Sequence, residues 1–385
     1  MIRKVCTNIN CLIGKSSTTF DVGENKCPNC NLNLELSNSG INLDANSLIE
    51  YENFVNNHFD NFNPEVDHLE SFSKYFSFLG DEYFNRANWN KSLFYYQKAL
   101  NILSEKVGNQ EKAIETLESN LGNVYMEIGQ PSIAIGHFNR CLIIQERIYD
   151  KHDLLIGWTK NNIANAYFSN LNYEKAILHY KEAINILKRN DGEDNSALIT
   201  LNTSLGNALL KNSDFNSALF HLNEALFISN KHLDSGNPII GHVFSLMAEA
   251  YSCIGDFEKS SFYHEKELEI AIPLFEDTDL AFIYLKLGSC YQSMGKYERA
   301  INKYLEGFKK SENKAGGFPY RIGNCYEAMN KLKDALEYYL LASEIRIKDL
   351  GPYSNETIDA VNDYNKLAMQ LGYDYLNIND YKPNC

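Results

Sequence analysis

"NLGNVYMEIGQPSIAIGHFNRCL" (120–142) decides the reading of this chain, because it returns six more times in altered form. "FLGDEYFNRANWNKSLFYYQKAL" (78–100) precedes it, and "NIANAYFSNLNYEKAILHYKEAI" (162–184) and "SLGNALLKNSDFNSALFHLNEAL" (204–226) follow. Then come "LMAEAYSCIGDFEKSSFYHEKEL" (246–268), "KLGSCYQSMGKYERAINKYLEGF" (286–308) and "RIGNCYEAMNKLKDALEYYLLAS" (321–343). The third residue of each block is small: Gly80, Gly122, Ala164, Gly206, Ala248, Gly288 and Gly323, at steps of 42, 42, 42, 42, 40 and 35. Repeats of this length imply stacked helix pairs, each burying its apolar face against its neighbours.

The positions explain themselves one by one. A small residue lets two helices approach closely. Three residues later stands a bulky one (Tyr83, Tyr125, Tyr167, Leu209, Tyr251, Tyr291, Tyr326), and nine further another small one (Ser92, Ala134, Ala176, Ala218, Ser260, Ala300, Ala335). Four beyond that is a mostly aromatic site: Tyr96, Phe138, Tyr180, Leu222, His264, Tyr304 and Tyr339. Each set has helical spacing, so each helix presents one packed stripe. The turn between the two helices carries Gly129, Gly255 or Gly295, or the polar Asn172 and Ser213.

This pattern over about residues 70–345 resembles the tetratricopeptide repeat. The 42-residue length resembles the extended form found in kinesin light chains and in bacterial signalling and conflict proteins. The resemblance implies an all-α, right-handed superhelical solenoid of about seven helix pairs. "KDLGPYSNETIDAVNDY" (348–364) reads as the same loop once more, leading to a capping helix at about 355–371. "NSLIEYENFVNNHF" (46–59) reads as an amphipathic helix on the first repeat. The expected organisation is a zinc ribbon at 1–36, a linker and N-terminal capping helix at 37–69, the array at 70–345, and a C-terminal cap and tail at 346–385.

The N-terminal segment has its own chemistry. Cys6 and Cys11, then Cys27 and Cys30, form two knuckles of spacing x4 and x2 separated by fifteen residues. Two knuckles can supply the four thiolates of a closed tetrahedral zinc site, structural rather than catalytic. The intervening "LIGKSSTTFDVGENK" suits a short β-hairpin. Two disulfides are the rival reading. They need an oxidising compartment, whereas "MIRKVCTNIN" has no apolar signal core and nine cysteines is an odd number. The expectation is therefore structural Zn2+ in a cytoplasmic protein. Gly14-Lys15-Ser16 mimics the tail of a phosphate-binding loop, but Ile9 stands where the earlier glycine is required.

Charge narrows the partners. The chain carries a net −14, and residues 1–40 hold four Lys/Arg against three Asp/Glu, leaving the remainder near −15. Phosphate backbones are repelled, so nucleic acid is not the expected partner, and no apolar run is long enough for a membrane span.

If the Gly/Ala and Tyr stripes face the paired helix, the opposite side carries the residues one after, two before and six before the Gly/Ala. One after gives Asp81, Asn123, Asn165, Asn207, Glu249, Ser289 and Asn324. Two before gives Phe78, Asn120, Asn162, Ser204, Leu246, Lys286 and Arg321. Six before includes Trp158, Thr200 and His242. Carboxamides donate to and accept from an extended peptide at once. Asn123, Asn165 and Asn207, flanked by Asn120, Asn162 and Trp158, thus form a candidate peptide-binding line. Lys286 and Arg321 suit an acidic side chain or a terminal carboxylate. The resemblance implies a concave groove holding a peptide or protein segment, but the two-lysine carboxylate clamp of chaperone-binding members is absent, with Asp81 at a clamp register. The nine histidines look scattered, and no nucleophile–base set or carboxylate pair stands out. The expectation is a non-catalytic scaffold or adaptor; the alternative is a peptide-responsive regulator of a partner effector.

Overall fold

The structure, a computed structural model, describes residues 3–6, 34–37, 45–60, 69–104, 110–192, 195–312 and 314–377. Two short strands, β1 (Arg3–Cys6) and β2 (Leu34–Ser37), pair antiparallel with Cys6 opposite Leu34 and Arg3 opposite Ser37. Cys11, Cys27 and Cys30, and the hairpin expected between the knuckles, lie outside the described residues. Everything else with regular structure among the described residues is helical. The chain divides into two compact units, 1–117 and 118–385.

In the first unit, α1 (Ala45–Asp60) lies against the pair α2 (Leu69–Asn85) and α3 (Trp89–Ser104). Edge-on ring contacts join Tyr51 to Phe78 at 5.4 Å and Phe59 to Phe76 at 5.1 Å. The Glu52 carboxylate accepts from the Tyr83 hydroxyl, from Tyr95 at 2.6 Å and from Lys91 Nζ at 2.9 Å. Burial alone would raise its pKa, but these three donors outweigh that and hold it below the usual carboxylate range.

The division falls within α4 (Glu111–Glu127), which leads to α5 (Pro131–Ile148). Four more pairs follow: α6 (Leu154–Ser169) with α7 (Tyr173–Asp191), α8 (Ala197–Lys211) with α9 (Phe215–His232), α10 (Pro238–Cys253) with α11 (Phe257–Ala271), and α12 (Asp277–Ser293) with α13 (Tyr297–Lys310). A last pair, α14 (Gly317–Ala328) and α15 (Leu332–Leu350), is covered by α16 (Asn355–Leu371). Tyr364, Leu367 and Ala368 of α16 pack on Ala335, Leu336 and Tyr339 of α15. Among the described residues the helices form seven successive pairs, one in the first unit and six from α4 onward.

One backbone device closes every pair. Residues 87, 129, 171, 213, 255, 295 and 330 all have positive φ, between 53° and 82°. The next residue in each case donates its N–H to the carbonyl of the bulky residue five before it, as Gln130 does to Tyr125 at 2.8 Å and Asn172 to Tyr167 at 2.9 Å. This is the Schellman closure of a helix C-terminus. In the third repeat the left-handed residue is Leu171, one before the turn residue Asn172. Asn172 instead caps α7, its side chain accepting from the Lys175 N–H at 3.2 Å. Asp214 and Asp256 cap α9 and α11 in the same way.

The small position is held by contact. A Cβ placed on Gly122 would lie 2.4 Å from the Phe138 ring, on Gly288 2.4 Å from Tyr304, and on Gly206 2.7 Å from Leu222. Helix and ring already touch at the Cα. We predict that Gly288→Ala lowers stability by about 1–3 kcal/mol, since the buried Tyr304 ring must move to admit the methyl. Urea unfolding of the full chain measures this, and an unchanged midpoint would show that the ring yields freely.

Candidate functional site

The residues chosen from the sequence sit where their register requires, on the first helices of the pairs. Asn120, Asn123, Asn162, Asn165 and Asn207 are half-buried, and Trp158 is 42% exposed. Their hydrogen bonds separate them. The Tyr180 hydroxyl donates to Asn165 Oδ1 at 2.5 Å, and Tyr339 donates to Asn324 Oδ1 at 2.7 Å. Tyr96 does the same to Asp81 Oδ1 at 2.6 Å, and Ser289 Oγ lies 3.3 Å from the Tyr304 hydroxyl. In every case the partner is fifteen residues on.

The position after the small residue therefore serves the buried tyrosine of its own pair, wherever that residue is a tyrosine. Burial pushes the Tyr180 hydroxyl up to about 12, which keeps it a donor. At Asn123 and Asn207 the residues fifteen on are Phe138 and Leu222, which offer no hydroxyl. Asn207 Oδ1 is shut from solvent with no hydrogen-bond partner. Asn123 and Asn207 are thus the members of the line that the fold does not employ in this way.

The two cations, Lys286 of α12 and Arg321 of α14, line one pocket of about 290 Å³ with Glu249, His264, Ser289 and Cys290. Arg321 Nη1 donates to Ser289 Oγ at 3.4 Å, and Lys286 Nζ sits 4.8 Å from the Phe282 ring centroid. Glu249 is neutralised from outside, by Lys211 at 2.9 Å. Neither Lys286 nor Arg321 has an ion-pair partner among the described residues. Beside Lys286, His242 is held below its ordinary pKa, by burial first and by the lysine charge in addition. Phe282, 60% exposed, occupies the register six before the small residue and belongs with Trp158 and His242 on this face.

The histidines are less scattered than they look. His137, His179 and His221 stand 42 apart, each one residue before the mostly aromatic site. His137 stacks on Tyr125 at 5.1 Å and His179 on Tyr167 at 5.7 Å. Tyrosines fill the same role in the pairs Tyr83–Tyr95, Tyr251–Tyr263 and Tyr326–Tyr338. His137 also meets the buried Glu118 at 2.7 Å, beside Arg140. His221 donates to Asn202 Oδ1 at 2.9 Å; burial, then Lys181 and Lys188, push its pKa down to about 4. These histidines are packed and paired within the helix pairs. The interval of twelve between stacked partners was present in the sequence as the signal. No cluster of three metal-ligating side chains, and no helix long and apolar enough to cross a membrane, occurs among the described residues.

Comparison with known proteins agrees with this architecture. Residues 113–189, 155–231, 283–312 and 320–346 match family models described as tetratricopeptide repeat, so these segments are tetratricopeptide repeats. Among solved structures, a STAND signal-transduction ATPase with a tetratricopeptide repeat sensor from Pyrococcus horikoshii aligns with 86% of this chain at 16% identity and a TM-score of 0.54. The alignment covers 51% of that protein, so this chain spans about half its length. The C-terminal part of a TPR repeat-containing protein from Cytophaga hutchinsonii aligns with 74% of this chain and 99% of its own (13% identity, TM-score 0.53). The apo form of RapI aligns with 72% and 98% respectively (20% identity, TM-score 0.51). At such identities the likeness carries the fold alone. No curated protein matches the sequence.

The divided use of the asparagines can be tested on the fold itself. Asn165→Ala removes the carboxamide that accepts from the buried Tyr180 hydroxyl, leaving Ser204 as its neighbour, and is expected to cost about 0.5–1.5 kcal/mol, whereas Asn123→Ala should stay within about 0.5 kcal/mol. Urea unfolding of the two variants side by side measures the difference, and equal stabilities would show that the Tyr180–Asn165 bond contributes nothing.

Proposed function

We propose that this protein is a non-catalytic interaction scaffold that holds a peptide or protein segment along the first helices of its second unit. The observation that carries this reading is the pair Lys286 and Arg321. Two cations without an ion-pair partner line one pocket of a chain whose net charge is −14. A pocket offering two such cations suits a carboxylate of the partner. Asn123 and Asn207, together with Asn120, Asn162 and Trp158, supply amide and aromatic contacts to the rest of an extended segment. Asn165 contributes through the Nδ2 that its bond to Tyr180 leaves available.

The N-terminal cysteines complete the proposal. Cys6, Cys11, Cys27 and Cys30 would hold one structural zinc ion. The pairing of β1 with β2 supports this, because it brings together the two ends of the segment containing the other three cysteines. Elemental analysis of reduced protein should find one zinc per chain, and none would remove this part of the proposal.

The groove is tested with a peptide library displayed against the full chain. Selected peptides should carry Asp, Glu or a free C-terminus. Lys286→Ala with Arg321→Ala should weaken the best of them by about 2–4 kcal/mol, roughly thirty- to several-hundred-fold. Asn123→Ala with Asn207→Ala should weaken neutral and acidic peptides alike. Binding that survives both double substitutions would place the partner elsewhere on the molecule.

A further inference from the structure

The second helices of three consecutive pairs expose a large apolar side chain at one register. Leu178 on α7, Phe220 on α9 and Phe262 on α11 stand 42 residues apart and are 55, 61 and 52% exposed. Two turns along α9 from Phe220, Phe227 is 60% exposed. Single exposed hydrophobes are ordinary on any surface. A periodic row of them needs an explanation, and its surroundings give one.

Between residues 216 and 230 the exposed positions of α9 are Asn216, Phe220, Asn223, Phe227 and Asn230, with no charge among them. To one side lies α7, tied to α9 by Lys188 Nζ at 4.0 Å from Glu224. Among the described residues its exposed charges are Lys175, Lys181 and Arg189 against Glu174 and Glu182, whose carboxylate Lys160 holds at 2.8 Å. On the other side, one repeat on, α11 exposes Glu258, Glu265 and Glu269 against Lys259 and Lys266, the latter paired with Glu269 at 2.7 Å. An aromatic strip thus runs between a flank with one excess positive charge and a flank with one excess negative charge among the described residues.

Such a surface is its own complement. We infer that it is the interface of a two-fold dimer between copies of this chain. With the axis running along α9, each α9 lies on the partner's α9, and each basic α7 faces the partner's acidic α11. Lys181 and Glu265 occupy one register two repeats apart, so Lys181 comes level with the partner's Glu265. A two-fold axis laid across the helices instead would oppose like flanks, so the charges choose the parallel arrangement. The interface uses the second helices, and the groove of the first helices stays open in the dimer.

Sedimentation velocity on the full chain across the micromolar range tests this. The chain should dimerise with rising concentration, and Phe220→Asp with Phe262→Asp should hold it monomeric throughout at an unchanged melting temperature. Lys181→Glu should weaken the dimer roughly ten-fold or more, and adding Glu265→Lys should restore it. Glu265 also accepts from the Tyr291 hydroxyl at 2.5 Å, so Glu265→Lys alone is melted as the control for folding. A chain that stays monomeric at high micromolar concentration overturns the inference. So does a dimer that the paired Asp variant retains. If that variant melts early, the charge reversal decides, and failure of Glu265→Lys to rescue overturns it equally.

Discussion

The contact of a bare Cα with a ring is what the remaining structure depends on. Where Gly80, Gly122, Gly288 and Gly323 face Tyr96, Phe138, Tyr304 and Tyr339, no side chain separates the two helices of a pair. At that distance a tyrosine hydroxyl reaches past the small residue to the one following it, giving the bond fifteen residues apart seen at Asp81 and Asn324 behind glycines and at Asn165 behind Ala164. The same closeness brings together the rings twelve apart, as in Tyr125 with His137 and Tyr251 with Tyr263. Ala164 and Ala248 meet the same requirement with one methyl, buried completely. Packing, hydrogen bonding and stacking are therefore three results of one approach distance.

The helix pairs were legible in the sequence because periodicity reports burial directly, and burial is what stabilises a repeat. The helix at Asn355–Leu371 was legible for the same reason, with Ser354 ahead of it as a cap. The second partner of each asparagine was not. A carboxamide at a groove register looks the same whether or not a tyrosine reaches it from behind, and only the pairing of positions fifteen apart distinguishes Asn165 from Asn123. The turn residues did not show which of them bends left-handed: Asn172 tolerates that backbone better than leucine does, yet the array puts Leu171 there, because the six-residue closure fixes which residue must turn. A local preference of about 1–2 kcal/mol yields to a tertiary constraint of larger size. The histidine register was overlooked because the nine were judged as a list instead of by their interval.

Charge is distributed to match the two faces. The chain is acidic as a whole, but the pocket of α12 and α14 leaves two cations uncompensated while Lys211 neutralises its one carboxylate. The buried ion pairs behave differently: Glu52 and Glu118 each collect several donors and stay ionised inside the fold. Satisfied charges hold helices to one another, whereas Lys286 and Arg321 have no ion-pair partner among the described residues.

The seven turns share one geometry, from Ala87 to Asn330, and the contact at each small position and the stack of rings twelve apart begin and end within one pair. Adjacent pairs consequently present like surfaces to one another. Excising the stretch between two small positions, Gly206 to Ala248 for instance, would bring a first helix against a neighbour of the kind it already has. Gene duplication or deletion in whole repeats can thus change the reach of the array in fixed increments, as links are added to a chain, without redesigning its core.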